Sequence, residues 1–239
     1  MTSPRLLLLS SSRKGASGYL EPALPMIRDF LDPTVREAVF VPYAAVSFGF
    51  DDYEAKVADA LAPLGLAVRS VHRDADPAAA VAAAQAIIVG GGNTFALLRR
   101  MRDAGLLPAI RAAAARGVPY VGWSAGGNLA CPTIRTTNDM PICDPGGFDA
   151  LGLVGFQINP HFVSGKLPGH NGESREDRLA EFMAINPATP VLALPEGAAL
   201  RREGPSLRLI DADGALLFAN GKAAPLAANA DVSALQAEG

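Results

Sequence analysis

Ser124 sits between two glycines in Gly122-Trp123-Ser124-Ala125-Gly126, directly after the apolar run Val118-Pro119-Tyr120-Val121. A serine on a sharp strand-to-helix turn projects its hydroxyl clear of the backbone and leaves the next amides free. The chemistry this allows is acyl transfer: attack on a carbonyl, with N–H groups facing the developing oxyanion. Such a serine needs a base, and the chain has three histidines. His72 closes an apolar segment beside Arg73 and Asp74 and reads as a rim or surface residue. His161 follows Asn159-Pro160, where proline keeps its neighbours out of a helix and stiffens the presentation of the next side chain. His170 lies in the loop Pro168-Gly169-His170-Asn171-Gly172. A general base must be held in a fixed position, so His161 is the better candidate.

The base in turn needs a carboxylate to orient it. Asp144 and Asp149 read as ordinary loop carboxylates. Asp139 lies in Thr136-Thr137-Asn138-Asp139-Met140, and Glu196 in Leu194-Pro195-Glu196-Gly197, just past an apolar strand. Both stay open. The Gly90-Gly91-Gly92-Asn93 run lacks the Lys-Ser/Thr of a Walker loop and the spacing of a dinucleotide fingerprint. With a serine elbow on the next strand, it reads as an oxyanion donor, the Ala125 amide being the second. The sequence has no H-E-x-x-H, Cys/His cluster or calcium loop, so neither metal nor cofactor is expected. Cys131 and Cys143 have no histidine close in sequence and read as packing or loop residues.

The elements that must position these groups alternate. Apolar runs at residues 6–10, 38–41, 66–71, 87–89 and 118–122 predict five strands. Amphipathic segments at 21–31, 51–64, 77–84, 94–102 and 107–116 predict the helices between them. Continuous apolar strands separated by helices imply an α/β fold: a doubly wound, mostly parallel sheet covered on both faces. Sites in such sheets lie beyond the carboxyl ends of the strands, which puts Gly90–Asn93 and Ser124 on one rim. Residues 133–155 read mostly as loop, 156–158 and 191–194 as strands, and 173–185 as a helix. Residues 207–210 and 215–218 alternate around Asp211-Ala212-Asp213-Gly214, the pattern of a C-terminal β-hairpin.

The chain of 239 residues is 49% hydrophobic with a formal net charge of -3. That composition suits one α/β domain over residues 1–239 with a large core. It offers no basic footprint for nucleic acid or an anionic membrane surface. Two cysteines do not make a disulfide framework, and Leu6-Leu7-Leu8-Leu9 is too short for a membrane span or a signal core. A cytoplasmic location is the expectation, as a monomer or a homodimer.

Taken together, several segments resemble the peptidase E (aspartyl dipeptidase) family. They are Gly90-Gly91-Gly92-Asn93-Thr94-Phe95, Gly122-Trp123-Ser124-Ala125-Gly126, the block from Cys131 to Pro141, Ile158-Asn159-Pro160-His161-Phe162, Gly172-Glu173-Ser174-Arg175-Glu176 and Leu194-Pro195-Glu196-Gly197. The resemblance runs from Leu6 to about Glu196. It implies a flavodoxin-like fold akin to class I glutamine amidotransferases, and a cytoplasmic serine peptidase that removes N-terminal aspartate from dipeptides and short peptides. It implies Ser124 as nucleophile, His161 as base, Asp139 or Glu196 as the third member, and Gly92 and Ala125 as oxyanion donors. Arg175 matches the arginine that grips the aspartyl carboxylate, a role suited to a planar, bidentate guanidinium. Asn93, beside the oxyanion turn, is expected to contact substrate. Gly127 stands where the family often carries alanine, and the loop around Phe48 and Gly49 also departs. Two alternatives share the residues: a cyanophycinase-like hydrolase acting on aspartyl-arginine material, and a non-catalytic protein that binds small peptides.

Overall fold

The structure is a computed structural model that describes residues 4–166, 169 and 171–236. Strand β1 (Leu6–Leu9) is four leucines, all buried. Leu6 and Leu8 join one apolar cluster, Leu7 and Leu9 another. A strand whose alternate side chains feed two cores lies inside a sheet covered on both faces. Each such leucine contributes about 2 kcal/mol of burial.

Next along the chain come α1 (Leu24–Phe30), β2 (Glu37–Val41), α2 (Phe50–Leu61), β3 (Ala67–Ser70), α3 (Pro77–Ala82), β4 (Ile87–Val89), α4 (Thr94–Asp103), α5 (Leu106–Ala115) and β5 (Tyr120–Trp123). The split between two cores recurs. Val39, Val41, Ile87, Val89 and Tyr120 face one side, with Leu97, Leu98, Met101 and Ile110 of α4 and α5. Ala38, Phe40, Ile88, Val121 and Trp123 face the other, with Ile27, Phe30, Val57 and Leu61 of α1 and α2.

The second half contains α6 (Ala125–Asn128), β6 (Gln157–Asn159), α7 (Arg175–Ile185), β7 (Val191–Ala193), β8 (Ala199–Glu203), β9 (Ser206–Ile210), β10 (Leu216–Ala219) and β11 (Lys222–Pro225). The large sheet has the order β3-β2-β4-β5-β1-β8-β9. Its first five strands are parallel, and β8 and β9 add antiparallel at one edge. The expected doubly wound, mostly parallel sheet is therefore present.

A second sheet, β11-β10-β7-β6, was not anticipated from the sequence. It packs Val191, Ala193 and Phe218 against Leu179 and Met183 of α7. The turn expected at residues 211–214 needs correction. The segment before it pairs with β8, and the segment after it pairs with β7 and β11. Residues 211–215 cross from one sheet to the other. The C-terminal hairpin is β10–β11, and Asn220-Gly221, both at positive φ, makes its turn. Asn-Gly is the stronger hairpin signal, because both central residues of a type I′ turn need positive φ.

Candidate active site

Four parallel-strand ends converge. Gly90–Gly92 follow β4 and Ser124 follows β5; these strands are neighbours, with Val89 opposite Gly122. His161 comes two residues after β6 and Glu196 three after β7, which are also parallel neighbours, with Asn159 opposite Ala193. Each sheet thus contributes an adjacent pair: turn and serine from the large one, histidine and glutamate from the small one.

Ser124 adopts φ 53°, ψ −114°, a conformation that costs a non-glycine residue about 1–3 kcal/mol. The turn is held on both sides: its N–H donates to Leu9 O at 3.0 Å, and its carbonyl accepts from Asn128 N at 2.9 Å. The flanking glycines are required sterically. A Cβ at Gly122 would fall 2.4 Å from Gly126 O, and one at Gly126 2.1 Å from Val89 O. A Cβ at Gly127 would sit 3.1 Å from Leu9 O, so that position is tight but not closed to alanine.

The three glycines after β4 each have a separate reason. A Cβ at Gly90 would strike Tyr53 Oη at 2.6 Å, and one at Gly91 would lie 3.0 Å from Ser124 Cβ. Gly92 has φ +138°, and a Cβ there would lie 2.3 Å from Ala44 O. Among the described residues, neither the Gly92 nor the Ala125 N–H has an acceptor. Both stay free to receive an anion at the elbow.

His161 Nδ1 lies 2.9 Å from Glu196 Oε1, and Nε2 lies 2.9 Å from Ser124 Oγ. An ionised carboxylate can only accept, so the proton is assigned to Nδ1 and Nε2 is left to accept from the serine. His161 itself has φ 53°. Its backbone N–H donates to Ser10 Oγ at 2.9 Å, and that hydroxyl donates to Leu194 O at 2.8 Å. Next door, Gly197 N donates to Ser11 Oγ at 2.9 Å. Sequence reasoning missed Ser10 and Ser11. The only signal was their place at the carboxyl end of a buried strand.

The Thr136–Asp139 block braces the strand that carries His161. Asn138 Nδ2 donates to Pro160 O at 2.7 Å, Asn159 Nδ2 donates to Asn138 Oδ1 at 2.9 Å, and Thr136 Oγ1 donates to Ile158 O at 2.9 Å. Asp139 is directed elsewhere. Its Oδ2 accepts from Thr94 N at 2.7 Å and Thr94 Oγ1 at 2.5 Å, at the amino end of α4, where a negative charge is favoured. Of the two candidate acids, the geometry joins Glu196 to His161 and Asp139 to Thr94. Asn93 caps α4, its Oδ1 accepting from Ala96 N at 3.0 Å, while its Nδ2 donates to Met140 O at 2.9 Å.

His72 is satisfied elsewhere, with Nδ1 2.6 Å from Ser70 Oγ and Nε2 2.8 Å from Asp51 Oδ1. Asp51, Glu54 and His72 bring possible ligand atoms within 4.8 Å of one another, but Arg73 already pairs with both carboxylates. Cys131 is buried, which pushes its thiol up to about 12 and keeps it protonated at neutral pH. Cys143 is a free, half-buried thiol in the loop after Ile142. His170 lies outside the described residues.

Arg175 opens α7, just after a capping box between Ser174 and Asp177. A cation in a first helical turn opposes the helix dipole, so helix formation does not explain it. Its Nη1 is buried and has no hydrogen-bond partner among the described residues. Desolvation lowers its pKa, Arg178 adds repulsion, and Glu196 partly offsets both. Arg175 and Arg178 form the shared wall of two cavities. One, of about 200 Å³, is lined also by Val163, Lys166 and Ser174. The other, of about 180 Å³, is lined also by Asn138, Asp139 and Asn159.

The model of Peptidase family S51 matches residues 6–210. The chain is 56% identical over 192 residues to peptidase E of Citrobacter koseri, which covers 80% of this chain and 83% of that protein. To peptidase E of Escherichia coli K12 / DH10B it is 54% identical over the same length and the same shares. Among solved structures, a peptidase from an acI-B1 Actinobacterium superposes with a TM-score of 0.65 at 16% identity, over 94% of this chain and 98% of that one. At that identity the likeness concerns the fold.

Proposed function

The chain belongs to peptidase family S51 and is a peptidase, and from that premise we propose that it is a serine-type dipeptidase that releases aspartate from the amino terminus of dipeptides and short peptides. The observation that carries the chemistry is the line Ser124 Oγ, His161 Nε2, His161 Nδ1, Glu196 Oε1, with 2.9 Å at each end. His161 takes the hydroxyl proton as Ser124 Oγ bonds to the substrate carbonyl carbon. The N–H groups of Gly92 and Ala125 receive the oxyanion. The C–N bond then breaks, and His161 returns the proton to the leaving amine. Water, activated by the same histidine, hydrolyses the aspartyl ester and frees Ser124. Glu196 holds the imidazole in the required tautomer and stabilises its charged form.

The preference for aspartate rests on Arg175. A buried guanidinium nitrogen without a protein partner is costly, and a substrate carboxylate relieves that cost. A neutral side chain leaves it in place. We further read residues 1–239 as one catalytic domain, acting in the cytoplasm on small peptides. No helix among the described residues is long and apolar enough to cross a membrane. A panel of Asp-Leu, Asn-Leu, Ala-Leu and β-linked Asp-Arg tests the specificity. Turnover confined to α-linked Asp-Xaa supports the proposal; faster turnover of β-linked Asp-Arg replaces it with the cyanophycinase-like reading. No turnover of any member leaves the aspartate assignment without support.

A further inference from the structure

Tyr53 lies on α2, outside every motif that pointed to the site, and is 3% exposed. Its ring meets Phe40 edge-on at 5.0 Å and Phe48 at 5.1 Å. Its hydroxyl donates to the carbonyl of Gly91 at 2.9 Å and accepts from Tyr19 Oη at 3.3 Å. Gly90 makes room for it, since a Cβ there would lie 2.6 Å from Tyr53 Oη. A phenylalanine would fill the same apolar space, so packing does not explain the hydroxyl.

The Gly91 carbonyl and the Gly92 N–H belong to one planar trans peptide and point in opposite directions. Anchoring one end aims the other. The peptide joins two glycines, whose torsions are soft, so on its own it can rotate at little cost. A rotated peptide turns a carbonyl toward the place where the oxyanion forms, replacing attraction by repulsion. The next peptide is fixed separately, through Asn93 N donating to Ala44 O at 2.9 Å.

We propose that Tyr53 is a positioning residue for the oxyanion hole: its hydroxyl holds the Gly91–Gly92 peptide so that the Gly92 N–H faces the reacting carbonyl. This rests on the serine-peptidase reading above. Burial raises the Tyr53 phenol pKa, so the group stays a donor at neutral pH.

Tyr53→Phe, Tyr19→Phe and Ser124→Ala are compared with the wild type. The readouts are kcat and KM for Asp-Leu, affinity for an aspartic α-aldehyde whose serine adduct places its oxygen in the hole, and Tm. A single oxyanion donor is worth about 10²–10³ in kcat, so loss of its anchor lowers kcat about tenfold or more. Aldehyde affinity falls by a similar factor, while KM and Tm stay near wild type. Tyr19→Phe, which leaves the Tyr53–Gly91 bond in place, stays within about twofold. If Tyr53→Phe lowers Tm severely, Gly90→Ala is the second variant; it displaces the hydroxyl without deleting it and gives the same paired loss. A Tyr53→Phe kcat within about twofold of wild type, or a loss of kcat with unchanged aldehyde affinity, overturns the inference. A fully active Ser124→Ala overturns the serine reading and this inference together. An inactive Ser124→Ala beside an unaffected Tyr53→Phe overturns the inference alone.

Discussion

The Ser10 hydroxyl accepts the backbone N–H of His161 at 2.9 Å and donates to the carbonyl of Leu194 at 2.8 Å. One buried side chain just past the end of β1 thereby ties down both loops that the small sheet contributes to the site. Ser10→Ala leaves a donor and an acceptor unpaired. It is expected to cost about 1–3 kcal/mol of stability, read from denaturant titration. It also lowers kcat, because His161 loses its backbone anchor at a strained φ. A variant as stable and active as wild type shows that the Ser10 hydroxyl does not hold His161 in place.

Glu196 and Asp139 are separated by exchanging each carboxylate for its amide. Glu196→Gln is expected to lower kcat about 10²-fold and to distort the pH–rate profile. The loss is smaller than for a buried orienting acid, because the Glu196 side chain is 51% exposed and water screens it. Asp139→Asn weakens the Thr94 anchor and is expected to lower Tm while the shape of the pH–rate profile is kept. The opposite pattern in the two profiles assigns the acid to Asp139.

The proposed triad was only partly legible in the sequence. The glycine-flanked Ser124 and the Pro160-His161 step were visible because strand ends and special backbone residues leave local traces. The choice between Asp139 and Glu196 was not. It depends on β6 pairing parallel with β7, a contact between segments some thirty residues apart. The large sheet was readable from its apolar runs. The small sheet was not: β6, β7 and β10 each leave a local apolar run, but their pairing into a separate sheet is non-local, and the sheet change at residues 211–215 imitates a hairpin turn while Asn220-Gly221 makes the real one. Tyr53 and Ser10 carry no motif. Their significance appears only when α2 and β1 are placed beside the site.

Arg175→Ala is expected to lower kcat/KM for Asp-Leu by about 10²–10³, the range for losing a charge-assisted contact in a desolvated pocket. Turnover of Ala-Leu, where detectable, stays nearly unchanged. Arg175→Lys keeps the charge but not the planar fork, and falls between the two. Equal losses on both substrates count against the arginine as the selector.

The mounting of α7 gives a pH dependence. Burial acts to raise the Glu176 pKa, but hydrogen bonds from Ser164 and the Gly165 N–H outweigh it, and the net shift is below the usual 4.5. The Ser174 N–H and hydroxyl lower Asp177 from the usual 3.8. A carboxyl lowered on folding stabilises the fold above its unfolded pKa, and that contribution is lost as pH falls through the folded value. The window is therefore acid, below about pH 4.5. Hydrogen-exchange protection, corrected for the intrinsic slowing of exchange in acid, is expected to fall in the loop at 163–166 and the first turn of α7 before the large sheet opens. Uniform protection down to about pH 3 contradicts this.

With Ser124 proposed as the nucleophile, Ser124→Ala removes the attacking oxygen and little else. With Tm near that of the wild type, hydrolysis of Asp-Leu is expected to fall on the order of 10⁴-fold or more, as when a member of a catalytic unit is removed. A folded Ser124→Ala protein that cleaves Asp-Leu at the wild-type rate rules out Ser124 as the nucleophile.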